Sequence, residues 1–435
     1  MSRAAFVETV PPMNYDVIIV GGGPAGSSAA ITLTQSGLRV LVLEAKQMPR
    51  EKLCGEFITP ESFQTLRRLG VMDQIVAAGA QEIRTLGLND STGRQVTAPI
   101  SDLSRGSEFA LSLTRARFDQ ILFDRAREVG ACCKESFAVK RCLFRDGLPC
   151  GVEATGLVDG RSHSFEAAVV IDASGRNSRL TVEREERIGG RPGSRLYAFK
   201  AHFAGAEDIR DQVELYFFQR GYGGLSRVEG GLANLCFIAH ERVVRETEGD
   251  IDEILRRTVM QNPLARRRLA GSERIGKWHS VGPLTFGHRR LSRERIIAIG
   301  DASGMIDPFT GTGIQVALRT GELAARALLE AIGGVRSADA HGTSFGDSEK
   351  RAGVGSQSAA PSLGSAGEKT IESALLRYHD YYVREFGKRM RASGILRGAA
   401  FYPRVSNMLG AILARSPGLT RRILRATRSA VSRDY

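Results

Sequence analysis

No stretch of about 18 residues is both apolar and free of charge, which excludes a conventional membrane span. Cysteine is scarce. Cys54, Cys132, Cys133, Cys142, Cys150 and Cys236 contain neither a CxxC pair nor zinc spacing, so a disulfide scaffold is excluded and reduced thiols of a cytoplasmic protein are expected. The seven histidines are scattered and meet no serine/aspartate pattern, so no metal site and no hydrolytic triad are expected. Residues Met1–Met13 lack an apolar core leading to a small-residue cleavage site, and no signal peptide is read there. Trp278 is the only tryptophan, which rules out any motif built on two.

What is present is ordinary globular material, 42% apolar and 25% charged over 435 residues, enough for two or three domains. The net charge of +13 is unevenly spread. From Arg384 to Tyr435 there are twelve Lys/Arg against Glu385 and Asp434, so the tail holds +10 and the body only +3. Apolar residues such as Ile395, Leu396, Phe401, Met408, Leu409, Ile412 and Leu413 interleave with that charge. Two readings of the tail stand: a peripheral contact with an anionic membrane or acidic protein, or a basic layer packed on the body. Nucleic acid is not an expected partner.

Tyr15–Val20 reads as an apolar strand stopping at Gly21-Gly22-Gly23, followed by a small-residue helix over Ala25–Ser36 and a second strand, Arg39–Leu43, ending at Glu44. Strand, glycine turn, helix and strand within about thirty residues make a βαβ unit with a parallel sheet. Gly21, Gly23 and Gly26, with Ala25 between, fit a dinucleotide fingerprint. The first glycine permits the turn, the second lets a pyrophosphate approach the backbone, and the third packs helix on strand. Glu44 is placed to accept hydrogen bonds from ribose hydroxyls, and its charge disfavours a 2′-phosphate. This fingerprint alone does not separate FAD from NAD.

Two more segments repeat the strand-into-turn design, Val169–Arg179 and Ile296–Gly304, and Asp307-Pro308-Phe309-Thr310-Gly311-Thr312-Gly313 then leads into a long helix over Gly313–Ile332. With Gly21–Gly26, these blocks resemble the three fingerprints of the FAD-dependent superfamily that contains aromatic hydroxylases, flavin-dependent halogenases and geranylgeranyl reductases, in family order across residues 15–330. Pro49-Arg50-Glu51-Lys52-Leu53-Cys54-Gly55-Glu56 and Ala302-Ser303-Gly304 resemble the geranylgeranyl reductase branch. The halogenase Trp-x-Trp-x-Ile-Pro motif is absent, and Gly221–Ser226, with Tyr222, stands in place of the reductases' Tyr-x-Trp-x-Phe-Pro segment without its Trp.

The resemblance implies non-covalent FAD, with Asp301 on a ribityl hydroxyl. It implies Arg115 or its neighbour Arg117 on the pyrophosphate, and the amides of Gly311, Thr312 and Gly313 facing the flavin N1 edge. Cys54 and Tyr222 are the candidate catalytic residues, and Cys54 reads equally as a small buried hydrophobe. Phe217, Phe218 and Phe309 are expected to wall an apolar pocket. No second strand–GxGxxG–helix unit exists, so any NAD(P)H would dock transiently as electron donor.

The expected fold is α/β, a Rossmann-like FAD-binding domain with an inserted antiparallel-sheet substrate domain and a C-terminal helical segment. The FAD domain takes residues 14–75, 109–185 and 286–332, and the substrate domain takes 76–108 and 186–285. Leu196–Ala204, Val213–Phe218 and Leu232–Ala239 read as successive strands of a meander in the latter. Residues 333–368, with 21 Gly, Ser or Ala, read as a linker or insertion, and 369–435 as a basic helical region. Reduction of a double bond in a hydrophobic substrate is favoured. A monooxygenase acting on an aromatic or polyketide-like substrate is the alternative, and an electron carrier the third reading.

Overall fold

The structure is a computed structural model that describes residues 15–104, 107–182, 195–340 and 368–400. Its first sheet grows from the βαβ unit. Tyr15–Val20 pairs in parallel with Val40–Leu43 on one side and Ser162–Asp172 on the other, and Ile296–Ala298 and Cys132–Lys134 extend the parallel set outward. The hairpin Phe137–Arg145/Leu148–Gly156 continues from Ser162–Asp172 in antiparallel fashion. Tyr15–Val20 and Val40–Leu43 are buried throughout, as strands covered on both faces must be, which is why they read as unbroken apolar runs. Register pairs Val20 with both Leu43 and Asp172. The turns after these strands therefore share the sheet's carboxyl edge, where open parallel sheets bind ligands.

A second sheet has the order Glu273–Val281, Leu196–Ala204, Ala233–His240, Gly221–Arg227, Gln212–Phe218, Thr85–Asn89, Gln95–Pro99. The expected α/β architecture, with a largely antiparallel sheet beside the nucleotide-binding one, is present. One detail differs: Leu196–Ala204 pairs with Ala233–His240 and not with Gln212–Phe218, because Gly221–Arg227 is an additional strand. Its sequence, GYGGLSR, has no β-branched residue and three glycines, so local propensity gave no strand signal. One face of this sheet packs Phe199, Tyr216, Phe218 and Phe237 against the helices Glu241–Glu246, Ile251–Arg257 and Pro263–Arg268. The other face looks toward the first sheet. Trp278 belongs to the packed face, edge-on to Phe203 and Phe237, with its indole N–H bonded to Asp252 at 2.8 Å.

The helix expected over Gly313–Ile332 runs on to Ala340, so the first residues of the expected linker are helical. The helix Glu368–Ala400 buries Ile371, Tyr378, Tyr382, Phe386 and Met390, which recur at helical spacing, against the nucleotide-binding core. Tyr378 donates to the carbonyl of Ala298 at 2.9 Å and Tyr382 to that of Ser303 at 3.5 Å, gripping the turn between them. The rest of the basic tail, 401–435, lies outside the described residues, as do 341–367. Among the described residues no helix is long and apolar enough to cross a membrane.

Candidate functional site: a cavity between the two sheets

The three glycines of the first turn face different constraints. Gly21 has φ +106°, and a Cβ there would lie 2.5 Å from the Ala173 carbonyl oxygen. At Gly26 a Cβ would lie 1.9 Å from the carbonyl oxygen of Gly21. Both are needed by the chain itself. At Gly23 a Cβ would meet only the end of Arg50, at 3.5 Å, and would enter a cavity that Gly23 and Ala25 line. What requires a glycine at 23 is therefore whatever enters that cavity.

Glu44 ends its strand buried beside this turn. It accepts the Gly22 N–H at 2.9 Å and the Lys46 N–H at 3.0 Å, one on each oxygen, with the Arg50 guanidinium at 3.3 Å. Oε2 is taken by the Gly22 N–H and by Arg50, and Oε1 keeps a lone pair for a hydroxyl. Of the two candidate arginines, Arg115 lines the cavity, whereas Arg117 is 58% exposed and turns to the Ala78 carbonyl and Glu229. Asp119 holds Arg115 in a bidentate pair at 2.7 Å and also takes Arg50 at 3.0 Å. Burial opposes the charge on Arg115, but Asp119 and the neighbouring Cys54 outweigh it and fix the guanidinium as a cation.

Two further cations line the same cavity, Lys52 and Arg176, and Asp301 is the only acid among the described residues that line it. Burial pulls both cations toward neutrality. Arg115 adds to that pull at Lys52, while Asp301 opposes it at both. An anion in the cavity would relieve this strain. Neither Lys52 nor Arg176 was singled out from the sequence as a site residue, although Lys52 stands inside the Pro49–Glu56 segment.

At the other end, Asp307 joins the two sheets. Its Oδ1 accepts the Tyr222 hydroxyl at 2.6 Å and the Phe309 N–H at 3.0 Å. Burial, reinforced by Asp307, pushes Tyr222 well above its ordinary value, so the phenol keeps its proton as a brace. The expected trio of amides is not all available. The Gly311 N–H donates to Pro308 at 2.9 Å, closing a 3₁₀ turn, and the Thr312 N–H reaches Thr310 Oγ1 at 3.4 Å. Gly313, first residue of the long helix, opens onto the cavity. The expected aromatic wall is corrected too. Phe309 lines the cavity and packs on Phe217 and Tyr222, each at 5.8 Å between centroids. Phe218 belongs to the opposite core, because successive strand residues point to opposite faces.

Cys54 lines the cavity as well, its Sγ accepting the Glu56 N–H at 3.4 Å. Cys236 lines it from the strand Ala233–His240, and burial pushes its thiol up to about 12. Among the described residues no group of three or more His, Cys, Asp or Glu is placed to hold a metal.

The cavity thus has a glycine left open for a ligand beside a helix start, and three cations with one acid among its described lining residues, and it fits an anionic dinucleotide. Comparison with known proteins agrees. Residues 14–353 match the family described as FAD binding domain. A 1H-pyrrole-2-carbonyl-[peptidyl-carrier protein] brominase of Pseudoalteromonas luteoviolacea is 29% identical over 337 residues, 74% of this chain and 79% of that protein. Digeranylgeranylglycerophospholipid reductase 2 of Methanopyrus kandleri is 26% identical over 400 residues, 91% of this chain and 88% of that one. The structure of a geranylgeranyl bacteriochlorophyll reductase-like protein from Thermoplasma acidophilum superposes with a TM-score of 0.73 at 18% identity, covering 95% of each chain. The chain belongs to the FAD-binding domain family, within the flavoenzyme superfamily of geranylgeranyl reductases, halogenases and aromatic monooxygenases.

Proposed function

We propose that this FAD-dependent oxidoreductase saturates an activated double bond in a hydrophobic substrate of prenyl, quinone or polyketide type. The observation that carries the reading is the pair of free thiols, Cys54 and Cys236, in the cavity wall. Oxygenation and halogenation both generate oxidants that convert thiols to sulfenic acids. Hydride transfer to a substrate forms no such oxidant, and it needs a proton source, which a thiol supplies.

In this reading Gly23, Lys52, Arg115 and Arg176 hold the pyrophosphate and Glu44 the adenosine ribose, with Asp301 on the ribityl chain. The positive end of the helix starting at Gly313 would face the ring and favour negative charge there. When bound, FAD would supply hydride chemistry, with NADH or NADPH as its transient electron donor. Leu86, Leu215, Leu284 and Phe309 give the substrate its apolar surface and exclude water. Cys54 donates the proton to the second carbon. Tyr222 holds Asp307 and Phe309 in place.

The second reading, a flavin monooxygenase or halogenase, draws on the pyrrole brominase relative and on the aromatic contact of Phe217, Tyr222 and Phe309. Anaerobic single turnover of photoreduced enzyme with hydrophobic alkenes separates the two. Flavin reoxidation by substrate alone, with a saturated product, is expected. Strict dependence on oxygen, with labelled oxygen or halide in the product, overturns the reductase.

A further inference from the structure

Next to the cavity, but not lining it, lies an ionic cluster of Glu51, Glu56, Lys200 and His202. Lys200, on Leu196–Ala204, has a fully buried side chain, and its Nζ lies 2.5 Å from Glu56 Oε1 and 2.8 Å from Glu51 Oε2. The same ammonium is 3.4 Å from the Lys52 carbonyl, so it touches the chain two residues before Cys54 and two residues after it. In register, Lys200 stands opposite Cys236 on one neighbouring strand and His279 on the other. The other oxygen of Glu56 is 2.7 Å from His202 Nε2, and that imidazole reaches solvent with 14% of its side chain exposed. Glu56 also accepts the Arg115 N–H at 2.8 Å, and its backbone N–H meets Cys54 Sγ.

We propose that His202, Glu56 and Lys200 form a proton path from solvent to the Cys54 side of the cavity.

Hydrogen-bonded imidazole, carboxylate and ammonium in series can each pass a proton to the next, and removing such charges from water is costly where they only pack. Burial pushes Glu56 up, but the His202 hydrogen bond and Lys200 more than offset it and keep the carboxylate ionised, ready to accept. Burial pulls Lys200 down, and Glu56 with Glu51 more than restores it, so its ammonium is charged and able to donate.

The inference rests on the reductase reading for its purpose. The hydride brings its own electron pair to one alkene carbon. The alkene π pair then takes the proton of the Cys54 S–H at the other carbon, leaving a thiolate. Lys200 returns a proton toward that thiolate, Glu56 recharges Lys200, and His202 recharges Glu56 from water. The charged and titratable groups facing the cluster are Glu51 and Lys52 on the same loop, Arg115 on the helix Arg115–Glu128, Cys236, and His279 with Lys277 on Glu273–Val281. The His202 imidazole reaches solvent while Glu56 and Lys200 are fully buried, which makes His202 the solvent-side member.

The test follows Cys54 without turnover. In the holoenzyme, the rate of Cys54 alkylation by iodoacetamide is measured against pH by peptide mass, in the parent and in His202→Asn, Glu56→Gln and Glu56→Asp. A displaced Cys54 titration midpoint in His202→Asn and Glu56→Gln, with restoration in Glu56→Asp, is expected. In turnover, His202→Asn should lower kcat several-fold with KM held and enlarge the solvent isotope effect. Glu56→Gln can fail to fold, since it leaves Lys200 short of charge, but the part-exposed His202→Asn remains decisive. An unchanged Cys54 titration in His202→Asn overturns the path whichever reaction the enzyme runs. Oxygen-dependent chemistry with a displaced titration overturns the reductase reading and keeps the coupling.

Discussion

The cavity has two walls built by different rules. On the nucleotide wall Gly23, Arg176 and Asp301 lie in turns that follow parallel strands, within a few residues of the strand end. The wall proposed to face the substrate comes from one face of a seven-stranded sheet, where each residue's neighbours are set by register between distant segments. A local turn has few sequences that can make it, so it is recognisable in isolation. A sheet face accepts many side chains, and its content emerges only when the strands are placed side by side.

The sharpest way to break this comparison is at Gly26. Gly26→Ala puts a methyl 1.9 Å from the Gly21 carbonyl oxygen, where only backbone can move, and a loss above about 4 kcal/mol is expected, read as missing soluble protein or a collapsed urea midpoint.

On the substrate wall the strand alternation makes neighbours behave oppositely. Phe218→Ala should cost about 3–5 kcal/mol in urea unfolding while leaving flavin content and substrate KM as they were. Phe217→Ala should instead shift substrate KM, because Phe217 supports Phe309 in the cavity. Equal KM effects from the two would mean that the faces are assigned wrongly.

Acid tests two buried carboxylates, Glu56 facing the second sheet and Glu322 between the helices Phe63–Arg68 and Gly313–Ala340. Glu56 and Glu322 are both held below the ordinary 4.5 despite burial, Glu56 by His202 and Lys200 and Glu322 by Arg68 and Thr65. A depressed folded-state value means that their contribution is complete above pH 4.5 and is lost as pH falls through the lowered values. Thermal midpoints should therefore decline only below that pH, and Glu322→Gln should flatten the decline.

The smallest expected stability change carries the most information. Gly23→Leu should leave apo-protein stability within about 0.5 kcal/mol, because its Cβ meets only Arg50 at 3.5 Å, yet the purified protein should be colourless. A yellow Gly23→Leu protein would remove the pyrophosphate from this turn.

These contrasts show why legibility was uneven. The βαβ unit, the three turns and the long helix after Gly313 were readable because period and glycine placement are local. The strand Gly221–Arg227 was hidden by its glycines: a Cβ at Gly223 would lie 2.9 Å from Phe237 Cβ, a constraint imposed by a strand not yet placed. The Gly311 and Thr312 amides looked free because the turn that consumes one of them closes inside the motif itself. Lys200 gave no signal at all, since its partner Glu56 is 144 residues away.

The freedom at Gly23 has a consequence for descent. Gly21 and Gly26 are held by the polypeptide's own geometry, so a lineage that gave up the nucleotide but kept the fold would retain both. Gly23 would be released from selection and drift to larger residues. Among distant descendants, the residue at this one position would therefore serve as a fossil record of whether the cofactor was still in use, legible in a lineage whose chemistry has been forgotten.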